Sequence, residues 1–156
     1  MSEAYTIVFD EEPEQAAIDA VRAGLEGYNR AYAADATWQP LTLLLRDADG
    51  GLLGGLLGGT YWGWLYIEIL WLAEKVRKQG YGSRMLVSAE REALARDCHG
   101  VHLDTMSFQA LPFYQRHGYS VFGLIEDMPR GHTRYFLKKA LPEERWNVGT
   151  LERLNV

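Results

Sequence analysis

The sequence is poor in cysteine and lacks long apolar runs, and each absence excludes a class of protein. Cys98 is the only cysteine among 156 residues, which excludes an internal disulfide and favours a reducing compartment. No stretch of 18 apolar residues occurs, so we expect no membrane-spanning helix. The acidic start, MSEAYTIVFDEEPEQ, lacks the basic and then apolar pattern of a signal peptide. We therefore expect a cytoplasmic protein with no membrane partner.

Basic residues are also scarce, because 16 Lys and Arg stand against 21 Asp and Glu and the net charge is −5. Nucleic-acid-binding proteins usually carry a basic surplus, so we expect no nucleic acid partner. The histidines show no metal-ligand spacing with Cys98, and DCHG at 97–100 is typical of a helix end, so no metal is expected. The acidic balance is compatible with a cationic substrate such as an amine, although many enzymes are equally acidic.

Hydrophobic spacing predicts helices and strands that alternate along the chain. Ile18, Val21, Leu25 and Tyr28 recur at helical spacing and predict a first helix over 12–28, with its N-cap and acidic first turn in DEEP. The predicted strands cover 5–9, 41–46, 50–59, 64–73, 101–106, 119–125 and 133–139. The other predicted helices are 81–97 and a short helix that carries Leu111 and Tyr114 and is capped by Ser107.

This order, β-α-β-β-β-α-β-α-β-β, predicts an α/β fold with a mixed central sheet of about seven strands flanked by helices. We expect one domain over 1–156, in which 141–156 forms a C-terminal tail. The repeat GGLLGGLLGG at 50–59 is too short for a solenoid. Its paired glycines are better explained by a twisted, bulged hairpin strand than by a binding surface.

A glycine-rich turn follows the apolar strand 64–73, in the stretch AEKVRKQGYGSRML. It lacks the P-loop string, and it fails the dinucleotide pattern because Met85 stands where the third glycine belongs. It does match R-x-x-G-x-G from Arg77 to Gly82. Unpaired N–H groups at a helix start bind anions, so we expect the backbone to hold phosphates more than Arg77 and Lys78 do.

With these residues the chain resembles the GNAT superfamily of acetyl-CoA-dependent N-acetyltransferases. LWLAEKVRKQGYGSRML resembles its strand-loop-helix signature, SFQALPFYQRHGYSVFG resembles its later helix with an alanine and a tyrosine, and the element order agrees. The resemblance implies acetyl-CoA as co-substrate, with the pantetheine arm along the backbone of Leu70, Trp71 and Leu72. It implies that the pyrophosphate binds a loop made of Arg77, Lys78, Gln79, Gly80, Tyr81, Gly82 and Ser83.

The resemblance also implies catalytic roles. Glu68, the only charged residue between Trp62 and Ala73, would be the general base that deprotonates the amine. Strand alternation would place Glu68 on one face with Tyr66, Leu70 and Leu72, where desolvation would raise its pKa; the alternative is a solvated strand end. Tyr114 would protonate the leaving thiolate, or else it only packs on the core. A backbone N–H near Leu72 would stabilise the developing oxyanion.

Further residues are candidates for contacts with the substrates. Ser107 stands where family members often have an asparagine that bonds to pantetheine, and it can make only a shorter contact. Tyr28 and Asn29, just after the first helix, lie where the acceptor site of the family opens. His132 lies at a hairpin tip, where it either contacts the substrate or only forms part of the turn. The aromatic string YWGWLY, which includes Tyr66, walls the acceptor pocket or forms core.

We therefore expect an N-acetyltransferase that acetylates a primary amine of a small molecule by direct transfer in a ternary complex. An acetyl-cysteine step is not expected, because Cys98 lies at a helix end away from the predicted site. The alternatives are a protein amine as acceptor, a transferase for longer acyl groups and a non-catalytic acyl-CoA sensor. A homodimer through the closing strands or the Trp146 tail is compatible with the sequence.

Overall fold

The computed structural model describes residues 5–33 and 37–142, which belong to two compact units, Met1–Ala36 and Thr37–Val156. The first unit contains helix α1 (Gln15–Arg30). The predicted strand at 5–9 is wrong, since these residues adopt no strand and a strand needs a partner to pair its backbone. The predicted dimer contact Trp146 lies outside the described residues, as does the rest of 143–156.

Helix α1 begins later and ends later than predicted. Glu14 is its N-cap and makes no side-chain capping bond, so DEEP at 10–13 precedes the helix and does not cap it. The helix continues through Tyr28 and Asn29, which form part of its last turn. None of the helices within 5–33 and 37–142 is long and apolar enough to cross a membrane.

The second unit confirms the mixed sheet flanked by helices, with six strands. The strands are β1 (Gln39–Arg46), β2 (Leu52–Tyr61), β3 (Trp64–Leu72), β4 (Gly100–Met106), β5 (Ser120–Glu126) and β6 (Thr133–Ala140). The helices are α2 (Tyr81–Ala95) and α3 (Leu111–Arg116), and a 3-10 turn covers Glu74–Val76. The sheet order is β1-β2-β3-β4-β6-β5, in which β3 and β4 are parallel and the other neighbours are antiparallel.

The parallel pair β3–β4 is joined only over part of its length. Pairing runs from Trp64 opposite Gly100 to Ile67 opposite Leu103 and then stops. Beyond this point β3 stays paired with β2, and β4 stays paired with β6 as far as Met106. A gap therefore opens between the two central strands of the sheet at their carboxyl ends, the place where open α/β sheets usually bind ligands.

A β-bulge at Glu68 accompanies the opening of this gap. Leu57 of β2 pairs with Ile69, but the next residue, Gly58, pairs with Ile67, so Glu68 has no partner on β2. One extra residue shifts the side-chain alternation. Leu70 now packs against the same core as Ile67. The predicted bulge in the strand 50–59 is confirmed at Leu53, which has no partner on β1, and the bulge at Glu68 lies on the neighbouring strand β3.

The core lies on the side of the sheet that α2 covers. Leu86, Ala89 and Ala93 of α2 are fully buried against strand residues such as Leu56 and Leu65. Glu90 of α2 accepts hydrogen bonds from the Tyr119 hydroxyl at 2.9 Å and from Lys139 Nζ at 2.8 and 2.9 Å. Burial raises the pKa of Tyr119, and the charge of Glu90 adds to it. These bonds fix α2 to β6 near the end of β4 that is paired with β3.

Candidate active site

The gap between β3 and β4 exposes backbone groups of β3. The amide of Ala73 donates to the Leu53 carbonyl of β2 at 2.8 Å. Hydrogen-bonded pairs alternate along an antiparallel ladder, so Trp71 also directs its backbone groups at β2. Leu70 and Leu72 direct theirs away from β2, toward the gap. The strand therefore offers polar groups of Leu70 and Leu72 to a bound chain, whereas those of Trp71 serve the sheet.

The amino-terminal end of α2 lies next to this gap. Gly80 is the N-cap, has φ 83° and provides no side chain to cap the first amides of the helix. Gly82 is buried, and its nearest neighbours are Phe113 of α3 and Leu72 at the end of β3. The free N–H groups of Tyr81, Gly82 and Ser83 can therefore donate hydrogen bonds to an anion that reaches the end of the gap.

Side chains of the same loop mainly hold the loop itself. Arg77 Nε donates to the Leu72 carbonyl at 2.9 Å, and Gln79 Nε2 donates to the Lys75 carbonyl at 2.9 Å. Lys78 has φ 59°, in the left-handed region. These contacts fit the prediction that the backbone, more than Arg77, would meet phosphates.

Tyr114 of α3 is a buried phenol that adjoins Phe113, the neighbour of Gly82 at the start of α2. Tyr114 is only 7% exposed to solvent. Its ring packs edge-on against the rings of Phe113 and Tyr119, with centroid distances of 5.1 and 5.8 Å. Burial raises the pKa of Tyr114 to about 12, and the negative charge of Asp104 adds to the shift. Every buried side-chain polar atom of the described residues has a hydrogen-bond partner, whereas the Tyr114 hydroxyl bonds to no described residue. This hydroxyl is therefore not fully enclosed and remains a protonated donor at neutral pH.

Glu68 is placed differently from the prediction. The bulge puts Leu70 and Leu72 on the core side, whereas Tyr66 lies on the opposite face, stacked on His102. The expected shared face was therefore wrong, because the alternation changes phase at the bulge. The expected desolvation is also wrong, because the side chain of Glu68 is exposed. Glu68 nevertheless lies at the mouth of the gap, beside the last β3–β4 pair.

Ser107 follows β4 and is joined to the β5–β6 hairpin. Its Oγ lies 3.3 Å from Nδ1 of His132 and accepts the Thr133 N–H at 3.2 Å. The prediction that Ser107 caps α3 is wrong. The N-cap is Ala110, and the Thr105 hydroxyl accepts the Ala110 N–H at 3.4 Å. Both Ser107 and His132 are exposed, so they form one polar patch beyond the end of β4.

Comparisons with known proteins agree with this arrangement of strand, loop and helix. The Acetyltransferase (GNAT) family profile matches residues 4–119, about three quarters of the sequence. The chain belongs to the GNAT family of acetyltransferases. Its curated relatives include Acetyltransferase Atu2258 of Agrobacterium fabrum, 36% identical over 120 residues that cover 77% of this chain and 88% of the relative. Blasticidin-S acetyltransferase of Streptomyces morookaense is 42% identical over 93 residues, 59% of this chain and 68% of that protein.

A solved structure is similar to most of this GNAT chain. A crystal structure of an acetyltransferase from Bacillus cereus superposes with a TM-score of 0.79 at 33% identity. It covers 86% of this chain and 98% of the other. The predicted family and fold class are both confirmed.

The aromatic string of the GNAT chain is divided between two places. Trp62 and Gly63, both with positive φ, form the β2–β3 turn, and Trp64 packs on Gly100 at the paired end of β3 and β4. These residues lie away from the gap, whereas Tyr66 is next to it. Burial raises the pKa of Tyr66, as do the charges of Asp104 and Glu68. Tyr66 thus remains the acceptor candidate of the string.

Two charged residues of the GNAT chain were missed by the sequence reasoning. Arg134 of β6 donates its Nε–H to Oδ1 of Asp104 at 2.8 Å, and both side chains are partly buried. Asp104 is the first residue of β4 after the pairing with β3 ends. A charge inside the apolar strand VHLDTM was the available signal.

Within 5–33 and 37–142 no group of three or more potential ligands could hold a metal ion.

Proposed function

We propose that this GNAT acetyltransferase uses acetyl-CoA to acetylate a primary amine of a small molecule, by direct transfer in a ternary complex. The observation that carries this proposal is the gap between β3 and β4, which ends at the uncapped start of α2. A gap of this kind suits an extended ligand with an anionic end.

The residues present fit such a donor. The backbone groups of Leu70 would bond to the pantetheine amides, with the arm running on past Leu72, and the N–H groups of Tyr81, Gly82 and Ser83 would hold the pyrophosphate. Arg77, which bonds to the Leu72 carbonyl, would keep the loop and the strand end in register. When bound, acetyl-CoA supplies the activated acetyl group.

Two side chains would handle the protons of the transfer. A free alkylamine is mostly protonated at neutral pH, so Glu68 would remove a proton, directly or through water, before the C–N bond forms. Tyr114 would donate its proton to the sulfur as the C–S bond breaks, and the second proton lost by the acylated nitrogen would restore the phenol. A backbone N–H that faces the gap, such as that of Leu72, would stabilise the charge on the carbonyl oxygen. Cys98 lies two residues before Gly100, at the paired end of β4, so no acetyl-cysteine step is proposed.

A small-molecule acceptor is supported by the relative named for acetylation of blasticidin S. Ser107 and His132, beyond the end of β4, are proposed to contact the donor and the acceptor respectively, and Tyr66 to contact the acceptor. Tyr28 and Asn29 stay predictions for acceptor binding.

The test is acetyl-CoA binding by calorimetry, followed by thiol release with a panel of amines that includes blasticidin S. We expect micromolar binding of acetyl-CoA and turnover of at least one amine. Glu68→Gln should lower turnover far more than acetyl-CoA affinity, with Glu74→Gln, at the 3-10 turn, as the matched control. Binding without turnover of any amine would instead identify an acyl-CoA sensor.

A further inference from the structure

Asp104 occupies a distinctive place in the sheet. It follows the last β3–β4 pair, Ile67 with Leu103, so it is the first β4 residue to face the gap. Alternation puts it on one face with His102, whose ring stacks on Tyr66 at 4.9 Å. The face that carries Tyr66, His102 and Asp104 lies opposite the buried Leu103 and Thr105. The carboxylate of Asp104 is therefore at the mouth of the gap, on the side away from the core.

Arg134 fixes the orientation of this carboxylate. Its Nε donates to Oδ1 of Asp104 at 2.8 Å, and its guanidinium also lies over the ring of Phe136, 5.3 Å from the centroid. The side chain of Asp104 is 17% exposed. Among the described residues its side-chain hydrogen-bond partners are Arg134 and the Tyr66 hydroxyl, and a carboxylate offers about four acceptor positions. Acceptor capacity therefore remains for a ligand.

The field of Asp104 extends across the mouth of the gap. Its charge contributes to the raised pKa of Tyr66 and of Tyr114, which lie on different elements. Glu68 adds a second negative charge near Tyr66. Asp104, Glu68 and Arg134 together leave a net charge of −1 around Tyr66, so an anionic group brought to this place would meet repulsion.

We propose that Asp104, held by Arg134, is the site that recognises a positively charged group on the acceptor, so that this enzyme selects cationic amines and rejects amines that carry a carboxylate. The proposal rests on the proposed function. Asp104 binds and orients and exchanges no proton; the proton steps remain with Glu68 and Tyr114.

The test compares three primary amines with four carbon atoms that differ in the charge at the far end of the chain. The charge is positive in 1,4-diaminobutane, absent in butylamine and negative in 4-aminobutanoate. They are used as acceptors, or as competitors against whichever amine the panel shows to be acetylated. We expect kcat/KM, or affinity as a competitor, to fall in that order, by about tenfold or more between the first and the last.

Two variants separate recognition from a structural role. Asp104→Asn should reduce the preference for the diamine over the amino acid about tenfold. Arg134→Met should increase it, because the carboxylate loses its guanidinium partner. A purely structural ion pair would move both variants in the same direction, with parallel loss of melting temperature, and that result would overturn the proposal.

Failure of this inference is distinct from failure of the proposed function. If amines are acetylated but kcat/KM, or affinity as a competitor, does not follow the charge of the three compounds, only the role of Asp104 is overturned. No turnover of any amine would overturn the proposed function, and the role of Asp104 with it.

Discussion

Gly58 lies directly beneath the carbonyl of Tyr66, and a Cβ at this glycine would collide with the Tyr66 oxygen. The contact occurs where β2 and β3 slip out of simple register, so that Glu68 becomes the extra residue of a bulge. The bulge changes which face Leu70 presents, and β3 separates from β4 one residue before it. The close approach of Gly58 to Tyr66 therefore lies at the bulge that borders the candidate active site.

We predict that Gly58→Ala will destabilise the protein by about 2 kcal/mol, because the added methyl group must displace backbone and not a flexible side chain. Acetyl-CoA affinity should fall as well, since the carbonyl that moves belongs to the strand lining the gap. The measurements are chemical denaturation and calorimetry. Gly123→Ala in β5 is the control, because a Cβ there has no atom within 4 Å. Equal stability of the two variants would contradict the role given to Gly58.

We predict that Tyr114→Phe will lower kcat by about 100-fold with little change in acetyl-CoA affinity, because it removes a proton donor and keeps the packing. The matched control is Tyr119→Phe, a neighbouring buried tyrosine whose hydroxyl bonds to Glu90. This control should cost about 1 kcal/mol of stability and retain most of the activity. Full activity of Tyr114→Phe would exclude Tyr114 as the acid.

The pKa of Tyr114, about 12, gives a second test of the same residue. A phenol of this pKa stays protonated and able to donate up to about pH 10. Its ionisation should therefore produce no fall in kcat between pH 8 and 10. A fall in that range that disappears in Tyr114→Phe would show that the hydroxyl ionises there.

The sequence was sufficient where the deciding interactions are local. The turn from Arg77 to Gly82 and the start of α2 follow from glycine spacing and helical periodicity, and both were predicted closely. The bulge at Glu68 depends on how β2 pairs with β3, so a simple period of two gave Glu68 the wrong neighbours. The ion pair of Asp104 and Arg134 joins residues 30 positions apart across β4 and β6, and only the strand register brings them together.

We predict that the free energy of unfolding will decrease as pH falls below about 6.5, in part because of His102. Burial lowers the pKa of His102 in the folded protein, against an opposing effect of Asp104. The unfolded chain therefore binds more protons between the folded pKa and about 6.5, and stability is lost as pH falls through this window. Denaturation from pH 5 to 7.5 measures the slope.

Two variants of His102 separate titration from packing. His102→Phe keeps an aromatic ring against Tyr66, and His102→Asn removes it, but neither can take up a proton. Both should flatten the dependence on pH to a similar extent, despite different stabilities at pH 7.5. A slope that persists in both would assign the acid sensitivity to other groups.

The last prediction concerns Ser83, whose N–H is one of the free amides in the first turn of α2. Ser83→Asp should maintain or slightly raise stability, because a carboxylate in the first turn interacts favourably with the helix dipole. The same charge should weaken acetyl-CoA binding about tenfold or more, because it competes with the pyrophosphate for the amides and repels it. Ser88→Asp adds the same charge farther along α2, on an exposed position, and should weaken binding much less. The difference between the two variants should shrink as salt is raised from 0.05 to about 0.5 M, since mobile ions screen exposed charges. Equal affinities of Ser83→Asp and Ser88→Asp at low salt would mean that the pyrophosphate does not bind at the start of α2.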